Sequence, residues 1–329
     1  MPNQPEATTN SESASRPSLS LVMPLLNAMP YLHEALDSLE RQGLSGFEVI
    51  AVDAGSTDGT RQALELVDFV KVVDAPGKSQ TEALNLGFAM TSGEILCWLN
   101  GDDFLSDGTL GFVVDWFASN PDAQLLYGDS IAINETGRRY GLRSNVREGQ
   151  YSQLLHGDFI VQPSAFWTRE VFDGVGQLDE SLHFIFDYAF FLEVARRHEL
   201  HYEPLVFSFE RLRGGAKTAQ GGVPRAAELL EVMKAHGESR VPMAFRPEVS
   251  AVRALEGIHE LRSRDFVDGR ALLREAVVEG RPRKFAFAHF VAMLLAGPKG
   301  TAEARLASNL LRSKAARRSP IWPGQAQSS

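Results

Sequence analysis

Between Leu19 and Leu99 four short apolar runs alternate with three stretches of helical character, and that alternation leaves few folds open. The runs are residues 19–23, ended by Pro24; 47–52, stopped at Asp53; 69–73; and 95–99. Between the first two, residues 31–42 place Leu32, Ala35, Leu36 and Leu39 at helical spacing. A helix follows the turn Ala54-Gly55-Ser56-Thr57-Asp58-Gly59, with Ser56 or Thr57 as its expected N-cap. A third is predicted at about 81–90. Strands alternating with helices imply right-handed βαβ units and a parallel sheet. The fold class is therefore α/β, and in such sheets ligands bind beyond the carboxyl ends of the strands.

The fourth run, Ile95-Leu96-Cys97-Trp98-Leu99, breaks at Asn100-Gly101-Asp102-Asp103. Two adjacent carboxylates repel by about 1 kcal/mol in water and several-fold more where partly buried. A divalent cation bridging to a phosphate offsets that repulsion; a solvated turn is the plainer reading. The chain has no G-x-G-x-x-G after its first strand and no G-x-x-x-x-G-K-[ST], so dehydrogenases and P-loop NTPases lose their main signatures. It also lacks a G-x-S-x-G elbow and any His/Cys cluster of zinc spacing.

Further on, a helix is expected near 109–118 and a strand at 124–127. A hairpin follows at 130–133 and 138–142, joined by Asn134-Glu135-Thr136-Gly137. Then come a strand at 162–167, a short helix at 169–172 and a helix after Phe184-Ile185-Phe186-Asp187-Tyr188. Asp187 is a single acid inside an aromatic run. It is either a helix N-cap or a general base in a cleft. A strand at 201–209 leads into the basic, glycine-rich segment 211–218, which either folds over phosphates or is a solvated loop. From Pro224 to about Lys314 the composition is helical. Its most apolar part, 284–297, has basic flanks and reads as a core helix or as a peripheral contact with a membrane interface.

The chain has 329 residues and a net charge of −9, which offers no electrostatic footprint for nucleic acid. One cysteine, Cys97, sits inside a predicted core strand, which excludes an internal disulfide and favours a reducing compartment. The N-terminus has no basic segment followed by an apolar core. A cytoplasmic protein is expected, with a disordered tail over residues 1–17.

Six ordered motifs now carry a resemblance. MPLLN at 23–27, VDAGSTDGT at 52–60, GKSQTEALNLG at 77–87, LNGDDF at 99–104, QPSAFWTREVF at 162–172 with GQLDESL at 176–182, and FDYAFFLEVARR at 186–197 are similar to the family 2 glycosyltransferases. That resemblance implies the GT-A fold, a Rossmann-like, mostly parallel mixed sheet flanked by helices, here with an α-helical C-terminal extension. It divides the chain into a tail (1–17), a GT-A domain (18–222), a helical region (223–318) and a frayed end (319–329). Within the GT-A domain the nucleotide half spans about 18–105 and the acceptor half about 106–222.

What the resemblance implies for the site is specific. Asp53 contacts the base of the nucleotide, with Pro24 and Asn27 nearby; Lys78 and Gln80 line the nucleotide side. Asp102 and Asp103 hold Mg2+ or Mn2+ and the diphosphate, and Asp187 is the general base. The implied reaction is inverting transfer of a sugar from a nucleotide sugar, a UDP-sugar favoured, to a hydroxyl of a glycan or lipid-linked acceptor. Asn100, Ala54, Phe186 and Arg213 depart from residues common in the family, which blurs the metal ligands and the sugar. Two other readings compete: a nucleotidyltransferase, for which no early basic triphosphate loop is visible, and a non-catalytic nucleotide-sugar or partner-binding module on the same fold.

Overall fold

The computed structural model describes residues 18–43, 45–143, 150–213 and 222–238. The expected N-terminal tail, the loop over 214–218 and everything expected beyond residue 238, including the apolar segment 284–297, lie outside the described residues.

β1 (Leu19–Leu25), β2 (Phe47–Asp53), β3 (Val70–Asp74) and β4 (Ile95–Trp98) pair in parallel in the order β3-β2-β1-β4. The helices α1 (Leu32–Glu40), α2 (Thr60–Leu64) and α3 (Gln80–Ala89) connect them. β1 does not stop at Pro24 but runs on to Leu25, with Pro24 opposite Val52. The even-numbered residues of β1 face β4, as the bond from Leu99 N–H to the Val22 carbonyl shows. Pairing with β4 ends at Val22–Trp98, so the N–H that proline lacks would have faced no ladder partner.

Two helix starts follow from local hydrogen bonding. α2 begins at Thr60, later than Ser56 or Thr57, behind Gly59 at φ 99°. The Asp58 carboxylate accepts from both Thr60 N–H (3.1 Å) and Thr60 Oγ1 (2.7 Å). α3 opens with a full capping box, in which Ser79 and Glu82 satisfy one another's backbone N–H groups.

Beyond β4 the sheet turns mixed. The chain continues through β5 (Phe104–Leu105), α4 (Thr109–Ser119), β6 (Leu125–Ile133), β7 (Arg139–Arg143) and α5 (Tyr151–His156). A 3-10 turn at Gln162–Ser164 then precedes β8 (Ala165–Thr168), α6 (Arg169–Val175), α7 (Phe186–Arg197), β9 (Leu200–Arg211) and α8 (Gly222–Ala235). The order is β3-β2-β1-β4-β8-β6-β9-β5, with β7 against β6. The expected strand at 124–127 and the first arm of the hairpin are one strand, β6. The predicted turn at its end is present, closed by Asn134 N–H to the Arg138 carbonyl at 2.9 Å.

Both faces of the sheet are covered. Residues of α1, α2 and α4 form one core with Leu21, Met23, Cys97 and Leu126. On the other face α3, α5, α6, α7 and α8 pack around Trp98 and Trp167. Trp98 lies parallel to Phe191 of α7, with centroids 6.3 Å apart, and meets Trp167 edge-on at 5.3 Å. Such aromatic pairs contribute about 0.5–1.5 kcal/mol each beyond their buried area. They hold α7 over the carboxyl end of β4.

Candidate active site

The acids that end β4 sit in a network reaching four other elements. Asn100 is its hub: its Oδ1 accepts from Gln80 Nε2 at 2.9 Å, and its Nδ2 donates to Asp103 Oδ2 (3.1 Å) and to Gln162 Oε1 (3.2 Å). Gln162 in turn donates to the Trp98 carbonyl at 2.7 Å. An amide suits the hub because two acceptors, Asp103 and Gln162, require a donor between them. Gly101 fits because a Cβ there would stand 2.6 Å from Leu25 Cδ2 and 2.8 Å from Ala28 Cβ.

The two aspartates face different surroundings. Asp103 is 4% exposed, and both its oxygens are engaged: Oδ2 by Asn100 and Oδ1 by the Arg211 N–H at 2.8 Å. Burial, together with the nearby Asp102 and Glu210 carboxylates, pushes its carboxyl well above the usual range. Asp102 is more open. Its Oδ2 accepts from Arg213 Nε at 2.7 Å, and its carbonyl accepts from Arg211 Nε at 3.0 Å.

Arg211, the last residue of β9, is almost wholly buried and fully engaged. Besides Asp102 it donates to the Asn134 carbonyl (2.9 Å), pairs with Glu34 of α1, and lies over the Tyr31 ring at 4.6 Å. The Glu34 side chain is 46% exposed, so this pair is partly screened by water, and the Asp102 and Asn134 carbonyls share in satisfying the buried guanidinium. Arg211 therefore locks the loop after β4 to α1 and to the β6–β7 turn.

At the ends of β1 and β2 the residues expected near the base form a second cluster. Asn27, at φ 52°, accepts from Thr57 N–H at 2.9 Å, and its own N–H donates to Ser56 Oγ at 2.8 Å. Asp53, 4% exposed, accepts from Ser56 N–H and Ser56 Oγ at 3.0 and 2.6 Å. Asp53 and Asn27 thus shape the loop at the ends of β1 and β2, and Pro24 lies buried one residue before the end of β1. Lys78 is exposed just before α3 and pairs with Glu82 at 3.4 Å.

Asp187 stands in the first turn of α7, not at its N-cap, which is Ile185. Its Oδ1 accepts from Tyr188 N–H at 2.8 Å. The preceding loop is tied to α3 by Thr81 Oγ1 to the Leu182 carbonyl (3.2 Å) and by Asn85 Nδ2 to the Leu178 carbonyl (2.9 Å). Hydrogen bonds thus join Gln80 to Asn100 and, through that amide, to Asp103, and Asn27 to the loop after Asp53. Asp187 reaches the same region through the packing of Phe186 and Phe191 on Trp98.

Sequence reasoning did not single out Gln162 or Glu34; it read Arg211 and Arg213 as part of a basic loop, and Arg213 also as a departure from the family pattern, without a contact to Asp102 for either. The available signal was an arginine directly continuing an apolar strand, a position where an unpaired charge is not tolerated.

Among the described residues no group of three or more His, Cys, Asp or Glu could hold a metal ion by itself. Mg2+ and Mn2+ bind through one or two carboxylates plus substrate phosphates and keep several waters. Asp102, with its partly open carboxylate, fits that requirement together with a diphosphate.

A mixed sheet covered on both faces, with acids at the end of its fourth strand and a helix packed over them, has the architecture of the GT-A glycosyltransferases. Residues 20–176 match the model for glycosyl transferase family 2, and this part of the chain belongs to that family. A PGL/p-HBAD biosynthesis glycosyltransferase of Mycobacterium tuberculosis (strain ATCC 25177 / H37Ra) is 26% identical over 274 residues, covering 82% of this chain and 99% of that one. Staphylococcus aureus TarS 1-349 in complex with UDP-GlcNAc superimposes with a TM-score of 0.56 at 14% identity, covering 91% of both chains. The Pyrobaculum calidifontis mannosyltransferase PcManGT, in complex with GDP-Man and Mn2+, gives 0.54 at 19% identity, covering 91% of this chain and 86% of that one. The protein is a glycosyltransferase. No helix among the described residues is long and apolar enough to cross a membrane.

Proposed function

We propose that this enzyme transfers a sugar, with inversion, from a nucleoside diphosphate sugar, a UDP-sugar favoured, to a hydroxyl of a glycan or lipid-linked acceptor. The observation that carries the reading is the split between Asp102 and Asp103. Asp103 is used up in holding the turn, while Asp102 presents its carboxylate beside Arg213.

In this reading Asp102 holds Mg2+ or Mn2+, and Asp103 serves it by fixing the loop. The metal supplies positive charge against the departing diphosphate. The loop formed by Asn27, Asp53 and Ser56 receives the base, with Pro24 beneath it, and Lys78 and Gln80 flank the phosphates. Asp187 takes the proton from the acceptor hydroxyl as that oxygen bonds to the anomeric carbon. The anomeric C–O bond to the diphosphate breaks with its electron pair leaving on the phosphate oxygen. One in-line displacement inverts the configuration.

Calorimetric titration with UDP, GDP, dTDP and their sugar conjugates, each with and without Mn2+ or Mg2+, tests the donor half. Metal-dependent micromolar binding of one nucleotide sugar is expected, and Asp102→Asn should lose the metal-dependent part. Absence of binding to all of them by folded protein would overturn it. For the base, Asp187→Asn should retain donor binding and lose about 10²- to 10⁴-fold in turnover.

A further inference from the structure

The backbone just ahead of α7 is held from outside the GT-A sheet. Glu228, on α8, accepts three consecutive N–H groups with one carboxylate: His183 at Oε1 (2.8 Å), and Phe184 and Ile185 at Oε2 (2.7 and 3.3 Å). Ile185 is the N-cap of α7 and makes no side-chain cap of its own. Glu228 therefore anchors, from another helix, the three N–H groups that lead into the first turn of α7, at the end where the helix dipole favours negative charge. Asp187 lies two residues on.

α8 is itself fixed to α7 a second time. His236, just past its end, receives or donates a hydrogen bond with Tyr151 of α5 at 3.0 Å and faces Glu193 of α7 at 3.8 Å. Along α8, Ala226, Leu229 and Met233 are buried in the core that contains Phe186 and Tyr188. On its opposite side the 178–185 segment is tied to α3 by Thr81 and Asn85. Glu228 accepts from all three of that segment's last N–H groups.

We propose that Glu228 is a positioning residue for transfer: it sets the entry of α7 and so the placement of the Asp187 carboxylate, making the first helix after the GT-A sheet part of the catalytic apparatus. This rests on Asp187 acting as the general base. The test is a double-mutant cycle in the full chain, using the nucleotide sugar selected by calorimetry with water as acceptor and release of the nucleoside diphosphate as readout. Glu228→Ala should lower kcat about 10- to 100-fold with the donor KM within about two-fold, and Glu228→Gln, which keeps the side-chain length and one oxygen acceptor, should recover part of that loss. In an Asp187→Asn background, Glu228→Ala should cost no more than about two-fold further, because its effect runs through Asp187. Amide exchange over 183–190 should accelerate in Glu228→Gln without any donor present.

A full multiplicative loss in the Asp187→Asn background, or unchanged kcat and exchange in both Glu228 variants, would overturn the proposal. Undiminished turnover in Asp187→Asn alone would instead overturn the assignment of the base, and is read separately from the Glu228 variants.

Discussion

Arg213 Nε stands 2.7 Å from Asp102 Oδ2, and the neighbouring Arg211 donates to the carbonyl of the same aspartate. Asp102 is thus held by its main chain through a buried arginine and by its side chain through a partly exposed one. The first contact fixes the residue, and the second puts a guanidinium where a divalent ion would compete for the carboxylate.

That competition has a measurable size. A partly exposed ion pair is worth about 1 kcal/mol, so Arg213→Ala should tighten Mn2+ binding in the absence of nucleotide by roughly five-fold. Titration of free Mn2+ by electron paramagnetic resonance measures it. Unchanged or weaker binding would mean that Arg213 does not oppose the metal.

Asn100 should resist replacement by its acidic analogue. Asn100→Asp removes the two donations to Asp103 and Gln162 and sets a third carboxylate beside Asp102 and Asp103. Stability should fall by about 3 kcal/mol. Urea denaturation reads this directly, and a loss under about 0.5 kcal/mol would show that the network is not structural.

α8 should loosen on mild acidification. Burial lowers the His236 pKa, against the pull of Glu193 and with Arg196 adding to the lowering. The unfolded chain therefore takes up that proton first. The stabilisation is complete above the ordinary histidine value of about 6.5 and is lost as pH falls below it toward the folded-state value. Thermal midpoints should drop between roughly pH 7 and pH 5, and His236→Gln should flatten that part of the curve.

Cys97 should be inert in the folded protein. It lies 2% exposed in β4, and burial pushes its thiol far above the ordinary range. Iodoacetamide should leave native protein unlabelled and modify one thiol after denaturation, as mass spectrometry will show.

Much of the parallel half could be read from the chain because each strand and helix there is marked by its own neighbours. The apolar runs at 19–23, 47–52 and 95–99 and the helical spacing of Leu32, Ala35, Leu36 and Leu39 are local signals, and they appear in the structure within a residue or two. The errors were also local in kind. Ser56 and Thr57 look like helix caps, yet their hydrogen bonds go to Asp53 and Asn27, a choice made by the approach of β1. Pro24 looks like a strand end until the shorter reach of β4 is known.

The division of labour between Asp102 and Asp103 could not be read at all. It depends on Arg211 and Arg213, which are remote in sequence, and on an amide hub whose partners come from α3 and the turn before β8. Asp187 was legible as an acid in an aromatic setting, but its N-cap alternative falls because α7 starts one residue earlier, at Phe186, with Ile185 as its N-cap.

The arginines at the end of β9 also set an order of events during synthesis. Asp102 and Arg213 are 111 positions apart, and Glu34 and Arg211 are 177 apart. At about 5–20 residues per second, a ribosome needs roughly 6 to 22 seconds to go from the first of the Asp102–Arg213 pair to the second. The four parallel strands can pair within that interval, since all of them precede residue 100. The loop carrying Asp102 waits, its acids together and without their arginines, until the last strand of the sheet has been made.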